Sequence, residues 1–396
     1  MKAVILAAGR GTRMGPLTQN RPKVMLPVAN KPVLSHVILS AHDAGINEFV
    51  LVVGYRAEVV KEYFGDGSDM NVSIDYALQR EQLGTADAVR AAQELVKDRF
   101  LVLNGDIIVS PQHIKNLIEH KSDVVMTAMQ VENPSELGVL EVRDNRVMRI
   151  IEKPVKPSTN LANAGIYVLL PSIFDAIKRT KLSVRKEYEI TDSLQLLIDE
   201  GADVGYLILS EDWLDIGRPW DLLDANEYFL PCSQPQVSGE IEPLATLKGS
   251  VSVGDGTVIR NGAYIVGPVI IGKNCDIGPN CYIRPSTSIG DNVRIGNAVE
   301  IKNSIIMNGT HIGHLSYVGD SIIGERCNFG AGTKVANLRH DGRTVRVRLK
   351  GKPTDSGRKK FGTIMGDDVH TGINSMINVG AVVDSGAMIA PGELVK

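Results

Sequence analysis

Val253, Ile259, Ile265, Ile271, Ile277, Ile283, Ile289, Ile295 and Ile301 form nine aliphatics at an unbroken spacing of six. Neither the helical period nor the alternation of a simple sheet produces that pattern, whereas a parallel β-helix does, with one short strand per six residues and three strands per coil. The position four beyond each aliphatic is mostly small or β-branched, and Cys275, Cys281 and Cys327 fall in that slot. These cysteines read as packing residues, not as metal ligands. The ladder slips by a residue, returns at Ile312 and Val318, slips again to Ile323, Phe329 and Val335, and resumes at Ile377, Val383, Ile389 and Val395. Residues 251–396 are therefore expected to form a β-helix of hexapeptide repeats.

The preceding 230 residues alternate strand-like and helix-like runs, so the fold class expected is α/β, a Rossmann-like domain (1–230), a linker (231–250) and then the β-helix. Strands dense in Val, Ile and Leu suggest a parallel sheet covered on both faces. A hairpin-like pair, 138–142 and 147–151, interrupts the alternation and is expected to form a lid. Residues 231–250, rich in Pro, Ser and Gly and without a clear period, read as the linker or as the first irregular coil.

The first apolar run, Ala3 to Ala7, leads straight into a glycine loop with Gly9, Gly11 and Gly15. Such a loop after a first strand lets backbone N–H groups approach phosphate oxygens. Arg10, Arg13, Arg21 and Lys23 are cations it could aim at the same anion. Pro16 after Gly15 excludes the P-loop, and Met14 in the place of a third small residue excludes the dinucleotide fingerprint. A surface turn with solvated arginines is the plain alternative. Asp106 closes the apolar strand that ends in Asn104-Gly105, and a carboxylate at such a strand end, facing phosphates, is a natural Mg²⁺ ligand.

The runs LAAGRGTRM, PLT, RPKVMLPV and NKPVL resemble the signature of sugar-1-phosphate nucleotidylyltransferases, a group that includes the amino-terminal half of the bifunctional N-acetylglucosamine-1-phosphate uridylyltransferases. The resemblance covers roughly the first 230 residues. It implies that Ala8, Gly9, Gly11 and Thr12 cradle the nucleotide, that Arg13 holds the triphosphate as it becomes pyrophosphate, and that Lys23 lies near the α-phosphate and sugar phosphate. It further implies that Gln79, Gly84 and Thr85 read the base, and that Gly138, Glu152, Lys153 and Asn163 hold the sugar and its phosphate. Asp215 matches the second carboxylate for Mg²⁺. The NTP is UTP or dTTP.

In the β-helix, Arg284 and Lys302 both follow a ladder aliphatic and lie eighteen residues apart, so they should stack one coil apart on one face. With His314, Tyr317 and Asn328 close by in sequence, they look like a sugar-phosphate site with a general base. The segment from VEIKNS to VANL resembles the acetyltransferase half of the same bifunctional proteins. By that resemblance His314 takes a proton from the 2-amine of glucosamine-1-phosphate as it attacks acetyl-CoA, Tyr317, Asn328 and Asn337 place the amino sugar, and Ala331, with Asn337, contacts CoA. The resemblance also implies a left-handed helix and a homotrimer. Leu338 departs from the bacterial tyrosine, and residues 339–360 form an inserted loop with nine Lys/Arg and two Asp, closer to archaeal members. That loop is expected to bind CoA phosphates, to cover a neighbouring subunit, or to be solvated. Two alternatives stay open: a monofunctional nucleotidylyltransferase with a structural β-helix, and a non-catalytic regulatory subunit.

A net charge of −3 gives no reason to expect nucleic acid or an anionic membrane as partner. No apolar run nears the ~18 residues of a membrane span, and the apolar start is shorter than a secretion signal. A cytoplasmic enzyme acting on small molecules is expected.

Overall fold

A computed structural model describes residues 1–210 and 213–396. The chain divides into two compact units, Met1–Arg10 with Val33–Asp215, and Gly11–Pro32 with Ile216–Lys396. The glycine-loop segment from Gly11 onward thus clusters with the β-helix, not with the domain whose first strand precedes it.

The first unit is a nine-stranded sheet with helices. Its strands are β1 (Lys2–Leu6), β2 (Glu48–Val53), β3 (Ser73–Leu78), β4 (Phe100–Asn104), β5 (Val124–Gln130), β6 (Gly138–Arg143), β7 (Arg146–Glu152), β8 (Leu161–Leu169) and β9 (Val204–Ile208). They lie in the order β3-β2-β1-β4-β8-β5-β9-β7-β6. The half from β3 to β4 is parallel, as the apolar strands suggested, but β8 runs antiparallel to both β4 and β5, so the sheet is mixed. The hairpin expected as a lid is instead the sheet's edge, with β7 paired to β9 and β6 reaching β8 at Ala162↔Val139. Val147 and Ile150 of β7 are buried while Met148 and Arg149 between them are exposed, where the pairing with β6 shifts register. The core gathers Val4, Val50, Val102, Met126, Tyr167 and Leu194.

The second unit stacks three parallel sheets, of eight, eight and seven strands, the chain visiting each in turn. This is the topology of a parallel β-helix, and its ladder residues, Ile259 through Ile301 among them, are buried in one column of core. Burial pushes the thiols of Cys281 and Cys327 up to about 12, as expected of inert packing residues.

Of the two readings for residues 231–250, a linker or a first coil, the pairing supports the coil: Glu240–Ile241 and Thr246–Lys248 pair with the next coil. Ile241 and Leu247 in fact continue the six-residue spacing backward from Val253, and they pack on the core. Only the few residues after the helix Pro219–Cys232 remain as connection.

Coils are eighteen residues long up to the strand Thr287–Ile289 and seventeen in the next two turns (Ile289↔Ile306, Ile306 level with Ile323). The missing residue falls at the corners Asn303-Ser304 and Asp320-Ser321. Asn303 and Asp320 turn there with positive φ of 45° and 51°. In the following turn the same corner opens into the insertion. That segment is not an irregular loop but an antiparallel hairpin, Arg346–Leu349 with Lys352–Asp355, whose Val345 and Val347 are buried.

Candidate functional site

Within the sheet unit, three expected sugar-site residues come together. A Cβ on Gly138 would lie 3.0 Å from Glu152 Oε2 and 3.5 Å from Asn163 Cβ, so the glycine backbone stands against both side chains, and closest to the Glu152 carboxylate. Glu152 accepts from Thr191 Oγ1 (3.0 Å) and Arg185 Nη1 (3.3 Å). Asn163 donates to the Tyr167 hydroxyl and accepts from Gly165 N at 3.0 Å, which closes a bulge in the pairing of β8 with β5. Gly165 has a φ of 73°, and its Cα lies against the Asn104 amide, two residues before Asp106. Lys153 follows Glu152 with a positive φ of 44°, its N–H bonded to Leu137 O.

The expected base-reading residues form a second group. Gln79 Nε2 donates to Asp87 Oδ2 (2.9 Å) and to Gly84 O (3.2 Å), which fixes the amide and leaves Oε1 as the acceptor. Gly84 has a φ of 118° and lies so close to the Tyr188 backbone that no Cβ fits. Thr85 Oγ1 accepts from Ile190 N. Ala8 O accepts from Tyr55 N, and the space over Gly9 is open, with nothing within 4 Å of a Cβ placed there.

Asp215 ends a short strand paired antiparallel with Ile107–Ile108, where it stands opposite Ile107, and Asp106 occupies the turn immediately before that strand. Two carboxylates far apart in sequence are thus brought close. Nearby in sequence to the sugar group, buried Glu189 has a carboxyl held above the usual range by burial, against the pull of Arg185.

In the second unit, Lys23 packs its stem on Gly11: a Cβ there would sit 2.5 Å from Lys23 Cβ, and Gly11 turns with a φ of 71°. Thr18 Oγ1 and Met14 N both donate to Gly11 O. Arg13 is exposed and makes no hydrogen bond or ion pair among the described residues. Arg10 and Arg21, both expected at the phosphate loop, turn to other partners. Arg10 lies over the Tyr55 ring, and Arg21 is buried by Asp367 and Glu325 of the β-helix.

On the β-helix, Arg284 and Lys302 do stack in register one coil apart, since Ile283 pairs with Ile301. Each cation already faces a carboxylate: Arg284 bonds Glu300 (2.9 Å) and Lys302 approaches Asp320 (3.3 Å). Asp320 is the hub of a vertical column. It accepts from Asn303 Nδ2 (2.9 Å) in the coil before and from Asn337 Nδ2 (2.5 Å) in the coil after. Asn337 also donates to the Tyr317 hydroxyl at 3.1 Å. Burial keeps that phenol protonated above its ordinary range, aided by Asp320 and Glu300. His314 does not join this cluster directly. It ends the strand of the preceding face, its exposed side chain without a hydrogen bond among the described residues, with Ala331 one coil above it by register. Asn328 stands over His311 on that same face.

The nucleotidyl transferase family profile matches residues 2–230, and that of the GMPPB C-terminal domain matches 265–388. Over 396 residues the chain is 43% identical to the "Bifunctional protein GlmU" of Methanocaldococcus jannaschii, covering 100% of this chain and 95% of that protein. The chain belongs to the bifunctional GlmU family. A second relative at 40% identity is the "Bifunctional sugar-1-phosphate nucleotidylyltransferase/acetyltransferase" of Sulfurisphaera tokodaii, with 100% and 97% covered. A solved structure of a putative glucose-1-phosphate thymidylyltransferase from Bacillus anthracis aligns with a TM-score of 0.53 at 30% identity, over 58% of this chain and 94% of that one.

For this GlmU-family chain, several side chains of the site carried no readable signal. Thr191 and Arg185 hold Glu152, and Tyr188 closes on Gly84, yet the sequence around them looks like an ordinary helix start. The inward ladder gives no sign of Asp320, which sits at a corner, or of Glu300, which flanks the buried Ile301 on its strand. Among the described residues no group of three or more His, Cys, Asp or Glu is arranged to hold a metal, and no helix is long and apolar enough to cross a membrane.

Proposed function

We propose that this chain catalyses two steps of nucleotide-sugar synthesis: nucleotidyl transfer from UTP (or dTTP) to a sugar-1-phosphate with release of pyrophosphate, and acetylation of an amino-sugar-1-phosphate from acetyl-CoA, the combined product being UDP-N-acetylglucosamine. The observation that carries it is the end-to-end likeness to relatives named as bifunctional, one of them for both a nucleotidylyltransferase and an acetyltransferase activity. The convergence of Gly138, Glu152 and Asn163 supports the sugar end of the first site. There Arg13 and Lys23 neutralise the triphosphate, Gln79 presents its acceptor to the base, and Glu152 bonds sugar hydroxyls; positioning and charge neutralisation do the work, with no covalent nucleophile.

Asp106 and Asp215, two hard oxygen donors brought close because Asp215 pairs with Ile107 next to Asp106, fit Mg²⁺. When bound, the ion supplies charge neutralisation between the phosphates of donor and acceptor. In the second reaction His314 takes the proton of the amine as nitrogen attacks the thioester carbonyl and CoA thiolate leaves. Arg284, Lys302, Tyr317, Asn328 and Asn337 hold the amino sugar phosphate, and Ala331 lines the CoA side. The three-faced helix is taken as left-handed and the assembly as a homotrimer joined through it. Both reactions are placed in the cytoplasm, where UTP and acetyl-CoA are available. The ion pairs on Arg284 and Lys302 favour one rival, a β-helix that is purely structural.

A panel of UTP and dTTP crossed with several sugar-1-phosphates, with and without acetyl-CoA, tests the proposal. Pyrophosphate release together with CoA release on glucosamine-1-phosphate is expected. Pyrophosphate release with no thiol formed on any amino sugar phosphate would leave only the first activity.

A further inference from the structure

The insertion carries a lysine to the glycine loop. Its hairpin turns through Lys350 and Gly351, two residues with positive φ (48° and 75°), the signature of a type I′ turn whose twist suits a tight two-residue hairpin. At that tip Lys350 Nζ donates to Thr12 Oγ1 at 2.5 Å. The neighbouring Leu349 packs toward Gly15, its Cδ2 3.8 Å from where a Cβ would stand. The hairpin's base is fastened independently: Val345 and Val347 are buried, Ser356 Oγ donates to Val345 O, and Arg358 is ion-paired with both Asp224 and Glu227 of the helix Pro219–Cys232. A solvated loop would show none of these ties. The lysine head is exposed, so a rigid ribbon delivers an ammonium that still faces solvent beside Thr12 and Arg13.

Resting on the nucleotidyl-transfer function proposed above, we infer that Lys350 is a phosphate-binding residue of the nucleotide site, supplied by the β-helix insertion to the triphosphate held at Gly11, Thr12 and Arg13. Arg10 and Arg21, the two loop cations turned to other partners, leave a charge deficit opposite a nucleoside triphosphate that Lys350 makes good. A short neutral hydroxyl such as Thr12 Oγ1 is a weak terminus for an ammonium with three donors. The remaining N–H groups have room to meet a β- or γ-phosphate oxygen as charge-assisted bonds.

The test uses the full-length protein. Lys350→Ala should weaken UTP binding measured by calorimetry, and raise the KM for UTP, by about tenfold or more, the scale of one charge-assisted hydrogen bond. Inhibition by inorganic pyrophosphate should weaken in parallel. The KM for the sugar-1-phosphate, the rate of acetyl transfer and the melting temperature should hold, and Lys350→Arg should restore most of the affinity. UTP and pyrophosphate affinities unchanged in Lys350→Ala overturn the inference. So does a variant in which melting temperature and affinity for every substrate fall together, since Lys350 is then a strut for the loop. If the unaltered protein binds neither UTP, dTTP nor pyrophosphate, the nucleotidyl-transfer function itself fails, a result visible before any variant is made.

Discussion

Arg21 and Asp367, 346 positions apart, form an ion pair of 2.8 Å with side-chain exposures of 9% and 1%. Asp367 also accepts from Asn20 Nδ2 and from Glu325 N, and Met307 sulfur lies 3.1 Å from the guanidinium. A segment that begins in the glycine loop is thereby fixed to the coils of the β-helix.

Removing one partner of that pair leaves a buried charge alone. Arg21→Ala should cost about 3–5 kcal/mol of stability. The loss should appear as a lower denaturant midpoint when unfolding is followed by fluorescence of Trp220, which is 4% exposed in the same unit. The double variant Arg21→Ala/Asp367→Asn should lose less than Arg21→Ala alone. Equal losses would mean the charge of Asp367 is not what suffers.

Asp106→Ala and Asp215→Ala should each abolish pyrophosphate release while acetyl transfer continues. Both carboxylates lie in the first unit, Asp215 paired with the residue after Asp106, and neither belongs to the ladder of the β-helix. Titration of Mg²⁺ into either variant should not recover the activity. Near-normal nucleotidyl transfer by Asp106→Ala would remove it from the metal site.

His314→Ala should lower acetyl transfer by a factor on the order of 10²–10⁴, the usual contribution of a general base. Its side chain is exposed and bonded to nothing else among the described residues, so stability should barely move. Loss of both activities in this variant would mark the histidine as structural.

Glu189 predicts a pH effect on stability. Its folded carboxyl binds protons more tightly than its unfolded one, because burial outweighs Arg185. Stability is therefore lost as pH rises from the ordinary carboxylate range through the raised folded value. Glu189→Gln should be less sensitive across that window, and more stable than the parent above it. Denaturant midpoints of the two proteins at a series of pH values check this, and parallel curves would refute it.

What could be read in the sequence was what repeats or what is local. The ladder from Val253 to Ile301 announces its own neighbours, because each residue stacks on its counterpart one coil away. Even so, Ile241 and Leu247 were hidden among Pro, Ser and Gly that suggested a connection. The glycine loop was visible, but the destination of Arg21 was not, because no local pattern encodes a partner 346 residues distant. The apolar density of β8 marks a buried strand and says nothing of its direction, hence the parallel sheet expected where a mixed one exists. The insertion showed its charge but not its hairpin: Lys350-Gly351 is a good turn pair only once the flanking strands are known to pair.

The anchoring of Gly11–Pro32 bears on how such a chain is inherited. A recombination that joined residues 1–230 to a foreign β-helix would keep every residue of the glycine loop, yet strand Arg21 without its acid and Asn30 without the Ile289 carbonyl it donates to. The two halves of the gene are not interchangeable cassettes. Drift in the coils around Glu325 and Asp367 constrains drift at the opposite end of the reading frame, so lineages should exchange this protein whole or not at all.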